Sequence, residues 1–359
     1  MSTQIFPLEK HSTQELQDLT KKQAENEVSW YMREVTSSQL ESIKDTLITC
    51  VKNLDETNDT QYKLPLSSHK SEILKGTVTR QNFKITGLHI VICSKHLNGG
   101  KKIEFQLKPS KYIIIRQLLD CHDAMENAIS NLDKIVENSK VANSADLFVR
   151  YMNQVCSHVD LARQSLANPD PAYIFPKYRV SGFLFEPQLP KDILLDFLVN
   201  EGELTVEFKS LIIVDKKPWN VIIDNTNRLS FGDIVKKEIS KQRGVPVNKT
   251  LSDEYNKYLK WREDHVDVES EDSGLGHTFK NMFTFNSDPS LSTLIKNASY
   301  YLEQSVTYID DDNNSYVVQV GEKCEVISSD PVLLSICVKL ESLEKTLHRI
   351  KENLTNIYI

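Results

Sequence analysis

The chain has 359 residues, 40% of them hydrophobic and 26% charged, with a formal net charge of -7. That is length for two or three domains of ~150 residues and an ordinary globular composition. A net acidic chain lacks the basic face that nucleic-acid binding requires, so that class is set aside.

The first predicted element is a helix. Val28, Tyr31 and Val35, then Leu40, Ile43, Leu47, Val51 and Leu54, recur at steps of three and four, which places them on one helix face. The period then changes. Thr77–Thr79 and Leu88–Cys93 are β-branched and apolar, each with a glycine before it, Gly76 and Gly87. Asn98-Gly99-Gly100 has hairpin-turn chemistry, and Ile103, Phe105 and Leu107 alternate with polar residues at strand period.

A second helical stripe runs Ile115, Leu118, His122, Met125, Ile129, Leu132, Val136, and a third runs Phe148, Met152, Val155, Val159, Ala162, Leu166. The short link Asn138–Asn143 predicts that these two helices are antiparallel neighbours. Prolines at 169, 171, 176, 187 and 190 exclude a long helix after them. Asp192–Asn200 and Glu203–Val214 flank Glu201-Gly202 as a second hairpin, and Val306–Ile309 and Tyr316–Val320 flank the polar turn Asp310–Asn314 as a third. The last stripe is Leu333, Ile336, Leu340, Leu343, Leu347, Ile350, Leu354.

Between 215 and 300 the pattern is weaker. Ser252-Asp253-Glu254 reads as a capped helix start leading into Tyr255, Tyr258, Leu259 and Trp261. Glu263, Asp264, Asp267, Glu269, Glu271 and Asp272 then form an acidic run, read as a solvated loop. Tyr255, Tyr258 and Trp261 are the candidate partner-binding residues, because tyrosine and tryptophan offer large contact area at small entropic cost. The competing reading packs the same face on the protein's own β structure.

These stripes predict an α+β fold. A four-helix antiparallel bundle would contain both termini, with a β domain built from the segments between the helices. The expected bundle domain comprises 11–60, 111–167 and 331–357. The expected β domain comprises 70–110 and 168–330, with a long, partly disordered insertion around 220–300.

Signatures of chemistry are missing from the sequence: there is no Walker loop, G-x-G-x-x-G, H-E-x-x-H or G-x-S-x-G. No catalytic, cofactor or metal residue is therefore expected. Cys50, Cys93, Cys121, Cys156, Cys324 and Cys337 include no Cys-x-x-Cys pair. Cys121 lacks a visible base partner and His122 reads as a core or edge histidine. Asp311, Asn313, Ser315 and Glu322 mimic part of a calcium loop, but Tyr316 stands where the sharp turn needs glycine. No apolar run approaches the ~20 residues of a membrane span. The N-terminal MSTQIFPLEK has no signal-peptide pattern, so a cytoplasmic protein with reduced thiols is expected.

Several stretches, in their order along the chain, resemble the Rogdi family. They begin at Glu25-Asn-Glu-Val-Ser-Trp30 and Ile73-Leu-Lys-Gly76, and are most specific from Leu161-Ala-Arg-Gln-Ser-Leu166 through Phe185-Glu-Pro-Gln-Leu-Pro190, Asp192-Ile-Leu-Leu195 and Leu204-Thr-Val206 to Leu211-Ile-Ile213. They resume at Cys324-Glu-Val-Ile327. About two-thirds of the chain is covered, and 220–300 departs from the pattern. The resemblance implies a non-enzymatic subunit of RAVE, the regulator of the ATPase of vacuoles and endosomes, promoting assembly and reassembly of the peripheral and membrane sectors of the vacuolar proton ATPase. It implies as partners a large WD-repeat scaffold subunit, a Skp-type adaptor reached through the scaffold, and the peripheral sector of the ATPase. Recruitment would be peripheral, from the cytoplasm to vacuolar and endosomal membranes. The alternative reading of the stripes alone is a coiled-coil tethering or cytoskeletal adaptor in membrane traffic.

Overall fold

The computed structural model describes residues 12–67, 73–95, 98–138, 144–242, 244–266 and 288–358. Helix α1 (Thr13–Trp30) starts in a capping box, where Ser12 Oγ accepts from the Glu15 N–H and the Glu15 carboxylate accepts from the Ser12 N–H. One π turn, Tyr31–Thr36, joins it to α2 (Ser37–Leu54). Then come β1 (Gln61–Leu66), β2 (Leu74–Gln81), β3 (Lys84–Ile92), β4 (Ile103–Leu107), β5 (Ile113–Ile114), α3 (Arg116–Asn138) and α4 (Ser144–Ala167). The second half holds β6 (Phe185–Glu186), β7 (Ile193–Asn200), β8 (Glu203–Ile213), β9 (Ile222–Asp224) and β10 (Leu229–Ser230). It continues with α5 (Phe231–Lys241), α6 (Val247–Val266), α7 (Leu291–Gln304), β11 (Ser305–Ile309), β12 (Ser315–Ser329) and α8 (Pro331–Tyr358).

The strands pair antiparallel. One sheet runs β1-β2-β3-β4-β6 with β5 on β3, a second runs β11-β12-β8-β7, and β9 and β10 make a small ladder. The β7–β8 turn uses Glu201 and Gly202 at φ 48° and 76°, the left-handed pair whose twist suits a two-residue hairpin. A Cβ at Gly76 would lie 2.0 Å from the His89 carbonyl oxygen, so the approach of β2 to β3 requires glycine there.

The α+β composition is as the sequence implies, but the four-helix antiparallel bundle containing both termini is corrected. Helices are spread along the whole chain, and α5, α6 and α7 lie in a separate core. The striped helices pack on one another pairwise, α2 on α3, α3 on α4 and α4 on α8, yet they form no separate helical domain. Leu47, Leu118, Val155 and Leu340 share one continuous core with Val78 and Ile90 of the first sheet and Phe197, Val206 and Val326 of the second. The coiled-coil expectation falls with the bundle. A heptad stripe states that one helix face is buried, not what buries it, and an apolar sheet face serves as well as another helix. Gln117 of α3 illustrates the joint. Its side-chain amide donates to the Ser165 and Val199 carbonyls at 2.8 Å, and its oxygen accepts from the Val199 N–H at 2.8 Å. One buried side chain thus ties α3, α4 and β7.

Helix α8 lies along α4, with Arg163 Nε 2.7 Å from the Glu344 carboxylate. It reaches the π turn through Asn353, which donates to the Tyr31 hydroxyl at 3.0 Å. The link 139–143 lies outside the described residues. No helix among the described residues is long and apolar enough to cross a membrane.

Candidate functional site

The aromatic segment chosen from sequence builds the second core. Ser230 caps α5 by accepting from the Asp233 N–H, and the Asp233 carboxylate accepts in return from Ser230 and from Thr307 on β11. Helix α6 starts at Val247 rather than at Ser252, because the Pro246 carbonyl accepts from Lys249 and Thr250 at 2.9 and 3.3 Å. A proline with its fixed φ is a ready helix start.

Along α6, Tyr255 and Tyr258 are only 5% and 2% exposed. The Tyr255 hydroxyl donates to the Pro289 carbonyl at 2.6 Å, the Tyr258 hydroxyl donates to Asp288 at 2.9 Å, and Arg262 forms an ion pair with Asp288. Burial pushes both tyrosine hydroxyls above their ordinary value. Tyr258 stacks on Trp261 at 6.2 Å between ring centroids and meets Phe231 edge-on at 5.7 Å, while Trp219 stacks on Tyr301 at 5.1 Å. The structure therefore brings the three candidates together, with Tyr255 and Tyr258 inside the core and Trp261 partly exposed at its margin. Of the acidic run, Glu263 and Asp264 are exposed at the end of α6. Asp267, Glu269, Glu271 and Asp272 lie outside the described residues.

The acidic hairpin turn is closed by protein cations. Lys191 bonds Asp310 at 2.9 Å and Asp312 at 2.6 Å, and Arg179 bonds Asp311 at 2.5 Å. Burial opposes the Asp310 charge, but the bonds from Lys191 and Asn314 outweigh it and hold the carboxyl at about 2. With these carboxylates already compensated, the partial calcium pattern has a structural use as a hairpin turn.

Cys121 and His122 stand in structural settings. Cys121 is fully buried, and burial first, then the Cys50 and Cys337 sulfurs and Asp120, push its thiol up; a protonated thiol is a poor nucleophile. His122 sits at the edge of α3, 3.1 Å from Asp123 and tilted against the Phe83 ring. Among the described residues, Asp160, Glu344 and His348 bring ligand-type atoms within 4.8 Å of one another across α4 and α8. The Arg163 guanidinium beside Glu344 competes for that carboxylate, so the group reads as an interhelical clasp.

A feature not singled out from sequence is a cleft of about 730 Å³ on the outer side of the α3–α4 pair, closed at one end by the loop through Asp170 and Tyr173. Asp120, Asp123 and Asn127 stand at helical spacing on α3, but only the folded hairpin sets them against His158, Leu161 and Gln164 of α4. The polar face of the second stripe was the available signal.

A family model described as Rogdi leucine zipper containing protein matches residues 27–355. The chain is also similar to a protein of Saccharomyces cerevisiae (strain ATCC 204508 / S288c) named Regulator of V-ATPase in vacuolar membrane protein 2. The two are 27% identical over 371 aligned positions, which cover 99% of this chain and 97% of the relative.

Proposed function

The chain belongs to the Rogdi leucine zipper containing protein family, and on that premise we propose that it is a non-catalytic subunit of a complex regulating the vacuolar proton ATPase. The observation that carries this reading is the end-to-end similarity to a protein named as a regulator of that ATPase, 99% of one chain against 97% of the other. A borrowed module would align over a part; here both chains are accounted for along their length.

In finer terms, the chain pairs with a large WD-repeat scaffold, through it with a Skp-type adaptor, and engages the detached peripheral sector of the ATPase. It acts from the cytoplasm at vacuolar and endosomal membranes. Its contribution is positional: holding two surfaces together raises their effective concentration without new chemistry. Tyr255, Tyr258 and Trp261 act in partner binding by shaping a docking surface from beneath, with Trp261 as the ring that solvent reaches.

Deleting the gene tests the reading. ATPase subunits are expected at normal abundance but with the peripheral sector missing from the vacuolar membrane. Vacuoles should acidify poorly, and growth should fail at neutral external pH with calcium. Normal sector assembly and acidification in the deletion strain overturn it.

A further inference from the structure

We infer that the outer groove between α3 and α4 docks a basic amphipathic helix of a partner protein. The groove begins with two antiparallel helices whose apolar stripes face the core. Their outward residues recur at three and four on each helix and form two facing walls, over ten residues or ~15 Å of helix. The floor combines Ala124, too small to fill it, with Leu161, a large apolar side chain left 50% exposed. The rim carries Asp120, Asp123 and Asp170, and no lysine or arginine is among the residues that line the cleft.

The walls are held before any partner arrives. Gln117 spends its amide on Ser165 and on both backbone groups of Val199, and the Tyr173 hydroxyl donates to Asp120 at 2.6 Å, fixing the loop that ends the groove. A preformed site loses less conformational freedom on binding.

Shape and charge select the occupant. The furrow between two packed helices accepts a third helix, at interaxial distances of ~8–10 Å. Three carboxylates around an apolar floor, with no lysine or arginine among the lining residues to pair with them, complement a helix with lysine or arginine flanking an apolar ridge. A second copy of this chain, itself net -7, would meet the groove with like charge, and an anionic lipid surface would be repelled for the same reason.

This deepens the regulatory reading and takes from it only the choice of complex. A photo-crosslinking amino acid is placed at Leu161, and in a control at Leu19 on α1, and the complex is purified through a tag on this chain. The crosslink from position 161 is expected to reach a helical segment of another subunit bearing at least two lysines or arginines. Asp123→Lys, at a largely exposed side chain, should leave the melting temperature unchanged and weaken retention of that subunit at least tenfold. Lysine-to-glutamate changes in the crosslinked segment should restore it. A crosslink to an uncharged or acidic segment, a crosslink to a second copy of this chain, or an intact complex with no crosslink at 161 overturns the inference. Undiminished retention by folded Asp123→Lys does so too. Each of these leaves the regulatory reading standing, because that reading falls only on the deletion phenotype.

Discussion

Arg80 and Asp330 are both wholly buried although 250 positions separate them. The Asp330 carboxylate accepts from Arg80 Nε at 2.5 Å with one oxygen and caps α8 with the other, through the N–H groups of Val332 and Leu333 at 3.0 and 3.2 Å. Arg80 also donates to the Asn82 carbonyl at 2.6 Å and lies 4.8 Å from the Tyr62 ring centroid. Removing one member strands the other charge out of water, which costs ~3–5 kcal/mol. Asp330→Ala is expected to lose that much in urea unfolding, while Asp330→Asn, which keeps a capping oxygen, should lose less. An Asp330→Ala protein within about 1 kcal/mol of wild type would disprove the pairing. Nothing in the sequence pointed to this pair, since a polar residue at strand period and an aspartate before a helix each look like surface features.

Helix α6 was legible as an aromatic helix, but its burial was not. Spacing set Tyr255, Tyr258 and Trp261 on one broad face and left open whether partner or core covers it. Trp219, Phe231 and Tyr301 come from elements that no local pattern connects to α6. Replacing the three α6 rings by alanine deletes two buried rings, at ~3–5 kcal/mol each where the site cannot collapse. A clear fall in melting temperature is expected. Trp261→Ala alone separates the roles, because at the margin it should weaken partner retention with little loss of stability. A triple variant as stable as wild type would mean that the face is not core. The start of α6 was misread because Ser252 and Asp253 look like a cap, whereas Pro246 had already set the first turn.

At the scale of the whole molecule, helices and sheets share a core. Leu343 on α8 and Cys324 on β12 are both buried in it. Leu343→Asp puts a charge into that core and should cost several kcal/mol. Helical ellipticity and the protection of the Cys324 thiol should then fail at the same denaturant concentration. Unchanged Cys324 protection in a variant with melted helices would mean that the helices and the β segments are independent domains. By itself, the sequence determined the types of the striped helices and alternating strands, most of the buried face of each striped helix, the Glu201-Gly202 turn and the family, because these depend on local period, turn chemistry and residue order. Only the tertiary structure decided what each face packs against, which aromatics gather around α6, and that α3 and α4 enclose an acidic groove. The physical reason is that burial of apolar surface is not directional: a stripe or an alternating strand records the need for a partner, and the choice among partners is made by shape, length and connection across the whole chain.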